Sequence, residues 1–189
     1  MTKLKNKYSF KKYSKKFPKL YQLERERIRK ILPRALIAHI GSTAVPCLCG
    51  KGIIDVGIAM PKKYRINARN KLEKAGYTYK ESSGDAERFF LRRDYKYRRK
   101  IRRVHLHLTW LNSLNWKKTI AFVWYLRRNS ADAEEYALIK KKASRFAKDS
   151  GEKYRAYKTN YIKKLTKKAL WVYLKHKALV QTPSPRNPH

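Results

Sequence analysis

Two stretches of the chain share one alternation. In residues 52–60, GIIDVGIAM, the side chains of Ile54, Val56, Ile58 and Met60 fall on one side of an extended backbone, and Asp55, Gly57 and Ala59 on the other. In residues 104–110, VHLHLTW, Val104, Leu106, Leu108 and Trp110 oppose His105, His107 and Thr109. Each reads as a strand that buries one face and presents small or polar groups on the other. Residues 36–40 (LIAHI) form a strand before them, and 77–80 and 87–93 are further strands about a Ser-Ser-Gly turn at 82–84. Residues 94–103, DYKYRRKIRR, read as a basic hairpin loop.

Helical spacing takes over elsewhere. Leu20, Leu23, Ile28, Ile31 and Leu32 predict a helix over 19–32, ended by Pro33, and residues 64–75 predict another, stopped by Gly76. A third helix spans 114–128. Asn129-Ser130 caps a fourth, whose acidic first turns and lysine-rich later turns suit the helix dipole. Gly151 separates it from a last helix over about 153–177. Strands first and helices later predict a single α+β domain over 20–178 with a helical C-terminal third. A basic arm over 1–19 precedes it and a frayed tail over 179–189 follows.

Charge sharpens the picture. Lys and Arg number 49 against 13 Asp and Glu, a formal net charge of +36 over 189 residues. A field of this sign attracts polyanions, whose condensed counterions are released on contact. The arm holds eight lysines with Tyr8, Phe10, Tyr13 and Phe17 interleaved, a spacing that suits docking on the domain, or stacking on bases. No apolar run reaches membrane-spanning length, and the N-terminus lacks the apolar segment of a secretory signal. Cys47 and Cys49 are too close to staple a fold and too few for a zinc ribbon; they read as small apolar fillers, in a reducing cytoplasmic setting.

If the two alternating strands share a sheet, their polar faces gather Asp55, His105 and His107 as candidate catalytic groups. A carboxylate with two imidazoles suits proton movement or a divalent metal, with Asp55 the metal ligand. Gly41-Ser42-Thr43 follows a strand and offers turn amides and two hydroxyls to a phosphate, with Lys51 close behind. Gly57 stands where a second acid belongs, a vacancy that His105 and His107 are placed to fill. The basic loop supplies a separate nucleic-acid surface of Arg92, Arg93, Lys96, Arg98, Arg99, Lys100, Arg102 and Arg103.

The run HIGSTAVPCLCGKGIIDVGIAM resembles the signature of the GrpB-like family of the nucleotidyltransferase superfamily. LEKAGY at 72–77, RFFLRR at 88–93, HLHL at 105–108, IAFVWYLR at 120–127 and DAEEYALIKKKAS at 132–144 extend the resemblance in order from about Tyr8 to Thr166. It implies a nucleotidyltransferase-like short mixed β-sheet flanked by helices. It also implies a Gly41-Ser42 turn cradling a triphosphate, and a strand on which Asp55 is the first of two magnesium ligands. Cys47 stands where the family usually has Gly, Gly52 where it has Pro, and Val123-Trp124 where it tends to have Arg-Asp. The expectation is a protein that binds a nucleotide or other phosphate-bearing molecule. Mg2+ would assist binding, which would be lost in Asp55→Ala, and nucleotidyl or phosphoryl transfer is open. The alternative is a non-catalytic protein holding RNA or DNA on its basic surface.

Overall fold

The computed structural model describes residues 12–147 and 150–181, the side chains as far as 178. Tyr8, Phe10 and most of the basic arm lie outside the described residues, as does the tail from 182. The first helix, α1 (Phe17–Ile31), begins two residues before the predicted start, with Pro18 in its first turn, where a missing N–H costs nothing. Tyr13 packs edge-on against Phe17, which is itself a core residue. The arm aromatics within the described residues are therefore docked.

Five strands follow among the described residues: β1 (Leu36–Ile40), β2 (Ile54–Met60), β3 (Thr78–Tyr79), β4 (Phe89–Tyr97) and β5 (Lys100–Trp110). They form one mixed sheet in the order β1-β2-β5-β4-β3, antiparallel except for the central β2–β5 pair. Helix α2 (Arg65–Lys74) lies on the crossover between those parallel strands, and α3 (Leu114–Leu126), α4 (Ser130–Ala147) and α5 (Gly151–Gln181) form the helical C-terminal third. α5 continues past the predicted tail boundary at 179. The architecture is the α+β arrangement expected.

The alternation decides which helices cover which face. Ile54, Val56, Ile58, Val104, Leu106 and Leu108 are fully buried against Leu20, Ile28 and Leu72 of α1 and α2. A second core joins Ile40, Val45 and Leu48 to Val123 and Leu126 of α3 and to Leu165 and Ala169 of α5. The polar face of β2 is thus roofed by the C-terminal helices, so Asp55 and the two histidines line a cavity and not an open surface.

The segment at 94–103 is not a loop. β4 and β5 pair down to Tyr97 opposite Lys100, leaving Arg98-Arg99 as a two-residue turn with Arg98 at φ +52. Strand pairing persists because alternate residues have partners on both faces. Tyr95 and Tyr97 pack on the first core, and Arg103 makes a two-bonded ion pair with its cross-strand neighbour Asp94, each bond 2.7 Å.

Candidate functional site

Parallel pairing of β2 with β5 sets Asp55 beside His105 and Gly57 beside His107. His105 Nδ1 lies 3.2 Å from Asp55 Oδ1, and His107 Nε2 lies 3.5 Å from the same oxygen. Burial pushes the Asp55 carboxyl up, but hydrogen bonds from the two imidazoles outweigh it and hold the group well below the usual carboxylate range. Asp55 is therefore an anion shared between two rings.

Arg88 settles the state of one ring. Its Nη1 lies 2.9 Å from His107 Nδ1, and a guanidinium has only hydrogens to offer. Nδ1 accepts, so the proton sits on Nε2 and points at Asp55. Burial pushes the His107 pKa down, Asp55 opposes this, and Arg88 lowers it again. Arg88 is itself braced by Asp85 Oδ2 at 3.2 Å and the Ser83 carbonyl at 3.0 Å. Phe90 covers both histidines edge-on, at 4.8 and 5.4 Å between ring centroids. His105, with Nδ1 turned to the carboxylate, keeps Nε2 as the proton-accepting atom of a carboxylate-held imidazole.

The turn above the acid has one tolerable residue at its start. Gly41 sits at φ +67, and a Cβ there would run into Asp55 Oδ2. Ser42 lines the cavity next to it. Thr43 does not: its hydroxyl donates to the Ile53 carbonyl at 3.1 Å and accepts from His39 Nε2 at 3.0 Å, tying the turn to β1 and β2. Burial lowers the His39 pKa to about 4, so that ring is neutral, stacked on Tyr21.

Gly57 is not a vacancy. A Cβ built there would stand 3.1 Å from Trp116 Cζ3 and 3.2 Å from Ile40 Cγ2. Ser113 caps α3 by accepting from the Trp116 N–H at 3.0 Å, which fixes the indole over the strand. A side chain at residue 57 would press on an aromatic ring, which must shift to admit it, and the histidines bond to Asp55. Among the described residues, no group of three or more His, Cys, Asp or Glu is arranged to hold a metal ion. The donor set does not fit a two-magnesium clamp.

Cations surround the carboxylate. The cavity encloses about 530 Å³, and Lys51, Arg88, Lys140, Arg155 and Lys158 line it against the single carboxylate of Asp55. Lys51 and Lys158 place their ammonium groups over the Tyr154 ring at 3.9 and 4.6 Å. Lys140 is almost fully buried and donates to the Cys49 carbonyl. Of these five, only Lys51 is singled out by sequence motifs. A signal for two others exists: Tyr136-x-x-x-Lys140 and Tyr154-x-x-x-Lys158 each put an aromatic and a cation on one helix face, and both pairs line the cavity.

The remaining predicted positions lie elsewhere. Arg93 is bound to Glu24 at 2.6 Å beneath the sheet, and Arg103 to Asp94. Arg98, Arg99 and Lys100 are exposed at the hairpin tip, Arg102 is half-buried, and Arg92 pairs with His105 on the strand beside the cavity. Cys47 is exposed at φ +63 and is no core filler; Cys49 is half-buried. Val123 lies in the second core and Trp124 packs on Tyr173 and His176 of α5, so neither lines the cavity.

Comparison with known proteins gives a consistent answer. A UPF0157 protein of Halalkalibacterium halodurans is 30% identical over 160 residues, covering 83% of this chain and 80% of its own. The UPF0157 protein YqkA of Bacillus subtilis is 31% identical over 80% of this chain, which spans only 44% of that longer relative. The crystal structure of the conserved protein GrpB from Enterococcus faecalis superposes with a TM-score of 0.75 at 31% identity, over 88% of this chain and 99% of that one. The family model described as GrpB protein matches residues 7–168, so the chain belongs to the GrpB family.

Proposed function

We propose that the cavity binds a nucleotide or other phosphate-bearing small molecule, and that side-chain cations serve where related chemistry would use a metal clamp. The observation that carries this reading is the charge pattern of the cavity: five Lys and Arg side chains around one carboxylate that two histidines already share. Phosphate oxygens are the ligand atoms such a wall favours, because charge-assisted hydrogen bonds strengthen in a partly desolvated site. The Gly41-Ser42 turn adds a hydroxyl and turn amides on the acid side. His105 contributes a carboxylate-held base, so proton removal from a hydroxyl or water beside the phosphate, as phosphoryl or nucleotidyl transfer requires, is the reaction class the site supports.

Magnesium arriving on a nucleotide would find Asp55 as its single carboxylate. Binding is therefore expected with and without the ion. Calorimetric titration of ATP in excess EDTA, and again in magnesium, checks this directly. Comparable affinity in both, with a loss of about tenfold in Lys158→Gln, supports the reading. Absence of binding by any nucleotide or inorganic phosphate under either condition ends it.

A second reading has its own observation. Arg92 and Lys96 lie on the same strand face as cavity-lining Phe90, and that face leads to the exposed Arg98-Arg99-Lys100 tip. A nucleic-acid end seated in the cavity would run its backbone along this edge.

A further inference from the structure

A second, smaller pocket adjoins the cavity. It holds about 180 Å³ and is lined by Lys118, Thr119, Phe122 and Val123 of α3 and by Ile162 and Thr166 of α5. Gly41 and Tyr136 line this pocket and the cavity alike, so the two spaces meet at the glycine turn and at one tyrosine of α4. Their chemistry differs. Five cations surround one carboxylate in the cavity, and its Tyr154 ring is already engaged by Lys51 and Lys158. The side pocket offers the apolar surface of Phe122, Val123 and Ile162, with one ammonium and two hydroxyls beside it.

That mixture suits a flat heterocycle better than another phosphate. Small-molecule sites bind through apolar surface and take their orientation from a few polar groups. A dry cavity of about 150 Å³ accepts a benzene ring, so the side pocket has room for a single base. Phe122 stands at 89° to Tyr136 with ring centroids 5.5 Å apart, and the two rings form a corner. Tyr136 is 7% exposed, and burial pushes its phenol well above the usual range, so it stays a protonated hydrogen-bond donor at the boundary of the two spaces. The hydroxyls of Thr119 and Thr166 both donate and accept, as the edge of a base requires.

We propose that the side pocket seats the heterocyclic base of a nucleotide whose phosphates lie among the cations of the cavity, with the ribose passing Gly41 and Tyr136. This rests on the phosphate-binding reading and narrows it: the ligand is a nucleotide, and bare phosphates are held less tightly. Charge alone predicts the reverse order, because inorganic tripolyphosphate carries at least as much negative charge as ATP. A preference for the nucleotide therefore has to come from contacts outside the cation cluster.

The test is calorimetric titration of ATP and of tripolyphosphate, each in excess EDTA. It compares wild type with two variants that fill the side pocket from different helices, Thr119→Phe and Thr166→Phe. Wild type is expected to bind ATP at least about tenfold more tightly than tripolyphosphate. In each filled variant ATP affinity falls to that of tripolyphosphate, while tripolyphosphate binds as it does to wild type, which also shows that the variant has folded. Equal affinities in wild type, or tighter tripolyphosphate, overturn the base pocket and leave phosphate binding standing. A preference for ATP that survives in both variants overturns the assignment to this pocket. Equal weakening of both ligands by both variants overturns it too, since filling the pocket would then act on the phosphate cavity. No binding of either ligand by wild type overturns the phosphate reading as well.

Discussion

Trp116 of α3 comes down over residue 57 of β2, its Cζ3 lying 3.1 Å from where a Cβ would stand. That makes Gly57→Asp an overpacking change as well as a burial of charge. A cost of about 1–3 kcal/mol is expected from packing, read as a lower midpoint in urea denaturation; an unchanged midpoint would show that the indole gives way. The variant is expected to gain no magnesium affinity, because its first side-chain carbon already crowds the indole and the Ile40 methyl; a gain measured by titration would show that the ring yields. Removing the ring isolates the cause: Trp116→Ala combined with Gly57→Asp should cost less than the sum of the two single changes. Strict additivity in that cycle would show that the indole is not the obstacle. Strand periodicity alone leaves this hidden, since it places residue 57 on the right face but cannot show which side chain of a distant helix comes down upon it.

At the scale of elements, the face shared by Asp55, His105 and His107 is legible from alternation, because period two leaves only two faces for each strand. The cationic wall is not, because Lys140 and Lys158 sit on helices whose rotation about their axes is set by packing of Leu165, Ala169 and the Ala143–Ala147–Tyr154 cluster. The hairpin at 94–103 hides its strand character behind its charge: lysines and arginines suggest a solvated loop, while Tyr95, Tyr97 and Val104 keep the period. Beneath it, Glu24 of α1 accepts from Arg93 of β4 and from the Tyr77 hydroxyl, with Glu24 almost fully buried. Burial acts to lower the Arg93 pKa, but Glu24 overrides it and the pKa is raised. Glu24→Ala strands that charge, so a loss of roughly 3–5 kcal/mol is expected. Glu24→Ala with Arg93→Met should recover part of it, as measured by chemical denaturation; no recovery would mean the pair is not what holds α1 to the sheet.

At the scale of the whole molecule, 49 basic against 13 acidic residues ensure that any polyanion is attracted, and specificity must come from where charges are left unanswered. Arg93 and Arg103 are already paired with acids. Arg98 and Arg99 are exposed at the hairpin turn, which makes Arg98→Ala with Arg99→Ala the informative change. If a nucleic-acid end follows the strand edge, affinity for single-stranded RNA should fall steeply with salt, and this variant should flatten the slope by about one to two units of log K against log salt. An unchanged slope would place RNA contacts elsewhere or nowhere. No helix among the described residues is long and apolar enough to cross a membrane.

The split origin of the cavity also bears on how the protein is made. Its acid and glycine turn come from residues 41–55, its histidines from a strand that must find β2 across some fifty residues, and Lys158 from the final helix. As the chain leaves the ribosome, Asp55 emerges with Lys51 beside it, Arg88 follows, and Lys140, Arg155 and Lys158 come last. A nascent chain therefore carries Asp55 with the Gly41-Ser42 turn and Lys51 long before it has the cations of α4 and α5, and if the cavity holds a phosphate-bearing ligand, its full retention reports that synthesis has reached α5 and that α5 has docked.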